Sequence, residues 1–105
     1  MTIQVQTEFL SATTVRVIAY VYNNATGKLV NATGLTIDIY DPDGTKQVDA
    51  VAMDNRATGT YDYYYHKGAG EDAMDTGRWR GMVLVADGAG VDTIYSQGPF
   101  SFKVI

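Results

Sequence analysis

Apolar and polar residues alternate along most of the chain, in short runs separated by turns rich in Gly, Asn and Asp. A period of two sends successive side chains to opposite faces of a β-strand. Ile3, Val5 and Phe9 alternate with Gln4, Gln6 and Glu8, which predicts a half-buried first strand. After a break at Ser11-Ala12, Thr13 to Asn23 reads as a long strand. Val15, Val17, Ala19 and Val21 form its inward face, and Arg16, Ile18, Tyr20 and Tyr22 its outward one. Asn23 to Lys28 and Asn31 to Gly34 are turns on either side of a short edge segment, Leu29-Val30. Leu35, Ile37 and Ile39 alternate with Thr36, Asp38 and Tyr40 in a third strand. It ends at Asp41-Pro42-Asp43-Gly44, where Pro fixes φ and Gly tolerates positive φ.

Lys46 to Asp54 fits both periods. Its strand neighbours favour a strand, with a single helical turn as the alternative. Thr58 to His66 is a fifth strand, with Tyr61, Tyr63 and Tyr65 on one face and Asp62, Tyr64 and His66 on the other. A Gly-rich acidic loop, Lys67 to Thr76, precedes a sixth strand from Gly77 to Ala86. Asp87 to Gly90 is a hairpin turn. Val91 to Ile105 is a last strand pair or one strand kinked at Gly98-Pro99, with Phe100, Phe102 and Val104 turned inward. About seven antiparallel strands and no clear helix predict an all-β sandwich of two sheets, and 105 residues make it a single domain, 1–105.

Four phrases stand out: LTIDIYDPDGT (Leu35 to Thr45), TGTYDYYY (Thr58 to Tyr65), GRWRGMVLV (Gly77 to Val85) and GPFSFKV (Gly98 to Val104). Their order resembles the immunoglobulin-like domains of bacteria, archaea and their viruses, including the macroglobulin-like and fibronectin-III-like types found in tailed-phage virion proteins. In those domains a strand ending in a P-x-G turn is followed by a G-x-Y strand, a G-x-W strand and a closing F-x-V strand. The resemblance covers residues 13 to 105 and implies an immunoglobulin-like sandwich. The chain departs from antibody domains in having no cysteine pair and no Trp between them, so it implies no antigen-receptor function. Gly59-Thr60-Tyr61 resembles a tyrosine corner, whose hydroxyl bonds backbone at a sandwich end. Trp79, the single Trp, is read as core.

Composition narrows the function classes. The net charge is −4, and the eight Lys and Arg residues are scattered singly along the chain. No basic stripe is evident, so no nucleic-acid partner is expected. No run approaches the ~20 apolar residues of a membrane helix, so no membrane partner is expected either. The absence of cysteine removes disulfides, thiolate metal sites and thiol catalysis together. The start, MTIQVQTEFL, carries no basic region and no long apolar run, which predicts no signal peptide.

Catalytic chemistry is also sparse. A hydrolytic triad needs a base within reach of a nucleophile. The one histidine, His66, falls on an outward strand face, and Ser11, Ser96 and Ser101 sit in no G-x-S-x-G elbow. One His and no Cys cannot make a zinc site. Asp41 with Asp43, and Glu71, Asp72 and Asp75, offer oxygens to calcium, but Asp in turns more simply caps backbone N–H groups. The two N-A-T-G segments at Asn24 and Asn31 match a glycosylation sequon and are explained as turns. No catalytic residue, cofactor or metal is therefore expected, and the enzyme class is set aside.

One feature points to a task. Tyrosine is abundant, with eight residues against three Phe. Ile18, Tyr20, Tyr22, Tyr40, Tyr64, Met82 and Leu84 all fall on outward alternation positions, and Tyr and Met are enriched where proteins meet. They form the candidate partner-contact surface. The expectation is a non-enzymatic structural subunit of a larger assembly, made in a host cytoplasm and built into a virion of a tailed phage or related virus. It would serve as a head-decoration, neck or tail-associated protein whose partners are other protein subunits, copies of itself included. The alternative is a carbohydrate- or cell-surface-binding module of a secreted bacterial protein.

Overall fold

The computed structural model describes residues 1–11, 14–66, 74–88 and 94–105. Their eight strands are β1 (Thr2–Ser11), β2 (Thr14–Tyr22), β3 (Gly34–Tyr40), β4 (Lys46–Ala52), β5 (Asp54–Ala57), β6 (Thr60–His66), β7 (Gly77–Asp87) and β8 (Ile94–Val104). Every pairing is antiparallel, in one sheet of order β1-β2-β6-β5 and a second of order β4-β3-β7-β8. The all-β, two-sheet architecture read from the alternation is the one observed. The break at Ala12, most of the loop after His66, and the turn and strand start between Gly88 and Ile94 lie outside the described residues.

The central strands carry the core. Val15, Val17, Ala19 and Val21 from β2, Leu35, Ile37 and Ile39 from β3, and Trp79, Val83 and Val85 from β7 are all buried. These β-branched and aromatic side chains suit a pleated surface covered on one side. Trp79 stacks on Phe102 (centroids 5.8 Å apart, planes 11° apart) and lies 5.6 Å from Tyr65, while its Nε1–H donates to the Asp75 carbonyl at 2.9 Å. Tyr61 points inward, and its hydroxyl accepts the Ala32 N–H at 3.2 Å, fastening the β2–β3 connection. Gly81 is opposite Phe100, whose ring lies where a Cβ would be, 2.1 Å from the nearest ring atom. The aromatic thereby fills the gap that glycine leaves.

Where β1 and β8 meet, the sheets close on each other: Phe9 meets Phe102 edge-on at 5.7 Å, and Gly98 lets Ile3 and Val5 come close. β8 is one strand whose register runs unbroken through Pro99, so the chain does not divide into a strand pair there. Pro has no N–H to give, and its ring sits on a sheet edge where none is needed.

The ambiguous segment resolves into two strands in different sheets. β4 belongs to one and β5 to the other, and buried Met53 is the crossing residue, its N–H bonded to the Leu35 carbonyl. The β3–β4 register slips twice, between Ile37 and Ile39 and again before Tyr40. Each bulge shifts the inward–outward phase, which is why the segment fits a helical and a strand period at once and follows neither throughout. Ala50 sits in the slip with φ +49, its N–H held by Asp38 Oδ1 at 2.6 Å. A left-handed L-residue costs about 1–2 kcal/mol, part of which glycine's greater freedom in the unfolded chain offsets. Ala50→Gly is therefore expected to raise stability by about 0.5 kcal/mol in urea unfolding. A net loss would show that the methyl group packs.

Candidate interaction surface

The outer face of the β1-β2-β6-β5 sheet is closed by its own polar groups. Asp62 on β6 is paired with Ile18 on β2 and with Asp54 on β5. Although it points away from the core, it is 0% exposed. Arg16 places Nε and Nη2 at 3.1 and 2.9 Å from Asp62 Oδ2, and Arg56 places Nε at 2.7 Å from Oδ1. Both guanidinium groups lie over the Tyr64 ring, at 5.7 and 5.9 Å. Glu8 adds a longer ion pair to Arg16 at 3.6 Å. The hydrogen bond to Asp62 is the main reason that both arginines are held above their ordinary pKa. Under this lid Ile18 is only 3% exposed. Tyr20 is half-buried, its hydroxyl accepting from Gln6 Nε2 at 3.2 Å, and Tyr22 is half-buried as well.

The outer face of the other sheet is different. Register places Lys46, Tyr40, Arg80 and Ser101 in one row, Asp38, Met82 and Pro99 in or beside the next, then Thr36, Leu84 and Gln97, and finally Ala86 and Tyr95. Tyr40, Met82 and Leu84 are half-buried, Pro99 is exposed, and Tyr95 is 64% exposed. At the Tyr40 end an open cleft of about 610 Å³ is lined by Asp38, Tyr40, Pro42, Arg78, Arg80 and Met82, among others. Lys46 Nζ lies 5.4 Å from the Tyr40 ring centroid and 3.2 Å from Asp49. Hydrogen bonding to Asp49, then to Tyr40, holds its pKa above the ordinary value.

The predicted contact residues therefore do not share a surface. Ile18, Tyr20, Tyr22 and Tyr64 belong to one sheet; Tyr40, Met82 and Leu84 belong to the other, on the opposite side of the sandwich. Ile18 is not a surface residue at all, because neighbouring side chains roof it. Tyr95 was missed; it faces outward opposite Ala86. Also missed was the gathering of basic residues. Arg78 and Arg80 alternate with Trp79 and so share a face, and register brings Lys103 opposite Arg78. The R-W-R alternation was legible; the partner across the ladder was not.

The polar residues weighed for chemistry have structural engagements. Asp41 Oδ1 accepts the Asp43 and Thr45 N–H groups at 3.0 and 2.9 Å, and Oδ2 accepts from Gln47, so this carboxylate caps its turn. Glu71 and Asp72 lie outside the described residues. His66 Nδ1 lies 2.8 Å from the Thr14 hydroxyl. Asn31 Oδ1 accepts the Gly59 N–H at 2.7 Å, and Asn23 Oδ1 caps Ala25 at 2.8 Å. The segment at Asn24 is thus bonded as a turn, its Gly27 N–H donating to the Asn23 carbonyl at 2.8 Å, whereas the segment at Asn31 is an extended lead-in to β3 tied to Gly59. Among the described residues no group of three or more His, Cys, Asp or Glu converges as metal ligands. Comparison with protein-family models, with curated proteins and with solved structures finds no match to this chain.

Proposed function

We propose that this chain is a non-enzymatic, immunoglobulin-like subunit that works by protein–protein contact within a larger assembly. The setting we propose is the virion of a tailed phage or related virus, in a head-decoration, neck or tail-associated position. The immunoglobulin-like reading is supported by strand order: β1-β2-β6-β5 facing β4-β3-β7-β8 follows the ABED and C′CFG arrangement of such domains. The observation that carries the interaction reading is the strip of Tyr40, Met82, Leu84, Pro99 and Tyr95 on one outer face, over which no other described segment folds. Apolar strips of this kind are where proteins meet. The tyrosines that a sugar-binding module would use, Tyr20 and Tyr64, are occupied by Gln6 and by Arg16 and Arg56, which favours protein over glycan. Electron microscopy of virions carrying the chain is expected to find it at symmetry-related positions through this face. A chain that stays monomeric by native mass spectrometry and binds no purified particle overturns the reading.

A further inference from the structure

Of the eight Lys and Arg residues, Lys46, Arg78, Arg80 and Lys103 come together at the cleft end of the β4-β3-β7-β8 sheet. Arg78 is directly opposite Lys103, and Arg80 is two residues along on the same face. Like charges facing each other across a ladder are destabilising. Among the described residues no carboxylate lies within ion-pair distance of Arg78, Arg80 or Lys103. Arg16 and Arg56, by contrast, are both neutralised on Asp62. Lys46 is paired with Asp49 at 3.2 Å, so in a chain with twelve acids and a net charge of −4 it is Arg78, Arg80 and Lys103 that stand without a carboxylate partner among the described residues. The nearby acids are already engaged: Asp41 caps its turn, and Asp38 holds the Ala50 N–H. The cleft beside this cluster has Tyr40, Pro42 and Met82 for apolar walls, and Arg78 and Arg80 stand with Asp38 and Asp41 among its polar ones.

We infer that this cleft and its basic rim receive a carboxylate-bearing peptide segment of a protein partner. The inference rests on the interaction-subunit reading and names the chemistry of the segment that docks. A guanidinium fork pairs with a carboxylate in two parallel hydrogen bonds, and Arg80 is exposed and free to do so. The apolar walls accept the aliphatic or aromatic residue beside the acid. A phosphodiester chain is disfavoured, because its affinity grows with the number of phosphates neutralised and this footprint spans few cations. The unrelieved repulsion is then a cost in the free chain that binding removes.

The test is an amide-NMR titration of the full chain at about 50 mM salt with the peptide acetyl-Glu-Asp-Tyr-Glu-Asp-amide, alongside its Lys-for-acid counterpart, inorganic phosphate and a single-stranded oligodeoxynucleotide. The acidic peptide alone is expected to shift amides of Tyr40, Arg78 to Met82 and Lys103. Arg80→Glu is expected to weaken it about tenfold or more. Lys103→Glu should weaken binding too, yet raise the melting temperature by about 2 °C by relieving Arg78. That combination separates a binding role from mere damage to the fold. Absence of shifts, shifts that persist in both variants, or stronger binding of phosphate or the oligonucleotide at these residues overturns the inference. If wild type and Arg80→Glu enter the particle equally and no peptide binds, this inference falls while the subunit reading stands. If wild type itself never assembles, the subunit reading falls.

Discussion

Asp62→Ala is expected to cost about 3 kcal/mol of folding stability, a large share of the roughly 5–15 kcal/mol available to a domain. The carboxylate is fully enclosed and accepts three charge-assisted hydrogen bonds from two arginines. Removing it leaves the half-buried Arg16 without its acceptor over the apolar Ile18, which is the expensive way to break such a pair. The effect should also be local. β5 is four residues long, and all of its side chains are exposed. It is held by Asn55, which bonds Asn31 and the Ala57 and Thr60 carbonyls, and by Arg56 on Asp62. Hydrogen exchange of the 54–57 amides should therefore accelerate more in Asp62→Ala than exchange of β2. Asp62→Asn keeps the shape and one acceptor and should lose about half as much. Adding Arg16→Ala to Asp62→Ala should change little further, because the partner is already gone. A loss below about 1 kcal/mol, or additive single effects, would mean that the enclosed pair is no anchor.

This cluster also shows where alternation stops being informative. Period two placed Asp62 and Ile18 outward, and both do point away from the core. It says which face a side chain leaves from and nothing of what roofs that face. Burial of Ile18 comes from long neighbours, Arg16 among them, reaching across three strands. β2, β3 and β7 were legible because each is a central strand with an unbroken inward run, from Val15 to Val21, Leu35 to Ile39 and Trp79 to Val85. β4 and β5 were not, because edge strands bury few side chains: Val48 alone in β4, and none in β5. The bulges around Ile39 then scramble what phase remains. The structure accordingly holds one strand more than the alternation predicts.

The basic cluster was hidden for a related reason. Lys46, Arg78, Arg80 and Lys103 look scattered along the chain, and only the β3–β4, β3–β7 and β7–β8 registers bring them together. Charge read along a chain is one-dimensional, whereas a sheet folds distant residues into adjacent rows. The expectation of evenly dispersed positive charge does not survive that folding. The candidate contact surface divides for the same reason: alternation assigns each residue an outside, but a sandwich has two outsides. Tyr40, Met82 and Leu84 share theirs with the cations, and Tyr20, Tyr22 and Tyr64 share theirs with the Asp62 cluster.

Trp79→Ala is the other large expected effect, about 4 kcal/mol lost. The indole is 1% exposed and packs between Tyr65 of one sheet and Phe102 of the other. Among the described residues it is the largest fully buried side chain, and its truncation leaves a void that hydrogen-bonded sheets close poorly. Its Nε1–H also holds the Asp75 carbonyl, at the end of the segment leading into β7. Trp79→Phe should keep the stacking, lose that hydrogen bond and some volume, and cost about 1–2 kcal/mol. Because this is the only Trp, urea unfolding must be followed by circular dichroism. The pair of variants also bears on the outer face. Arg78 and Arg80 leave β7 on either side of Trp79 and on the opposite face, so the strand backbone, and not the indole, spaces the two guanidinium groups. Trp79→Phe should then retain acidic-peptide binding at the cleft within about twofold. A much greater loss of binding in a variant that stays folded would show that the core, and not the rim alone, sets the geometry of the site.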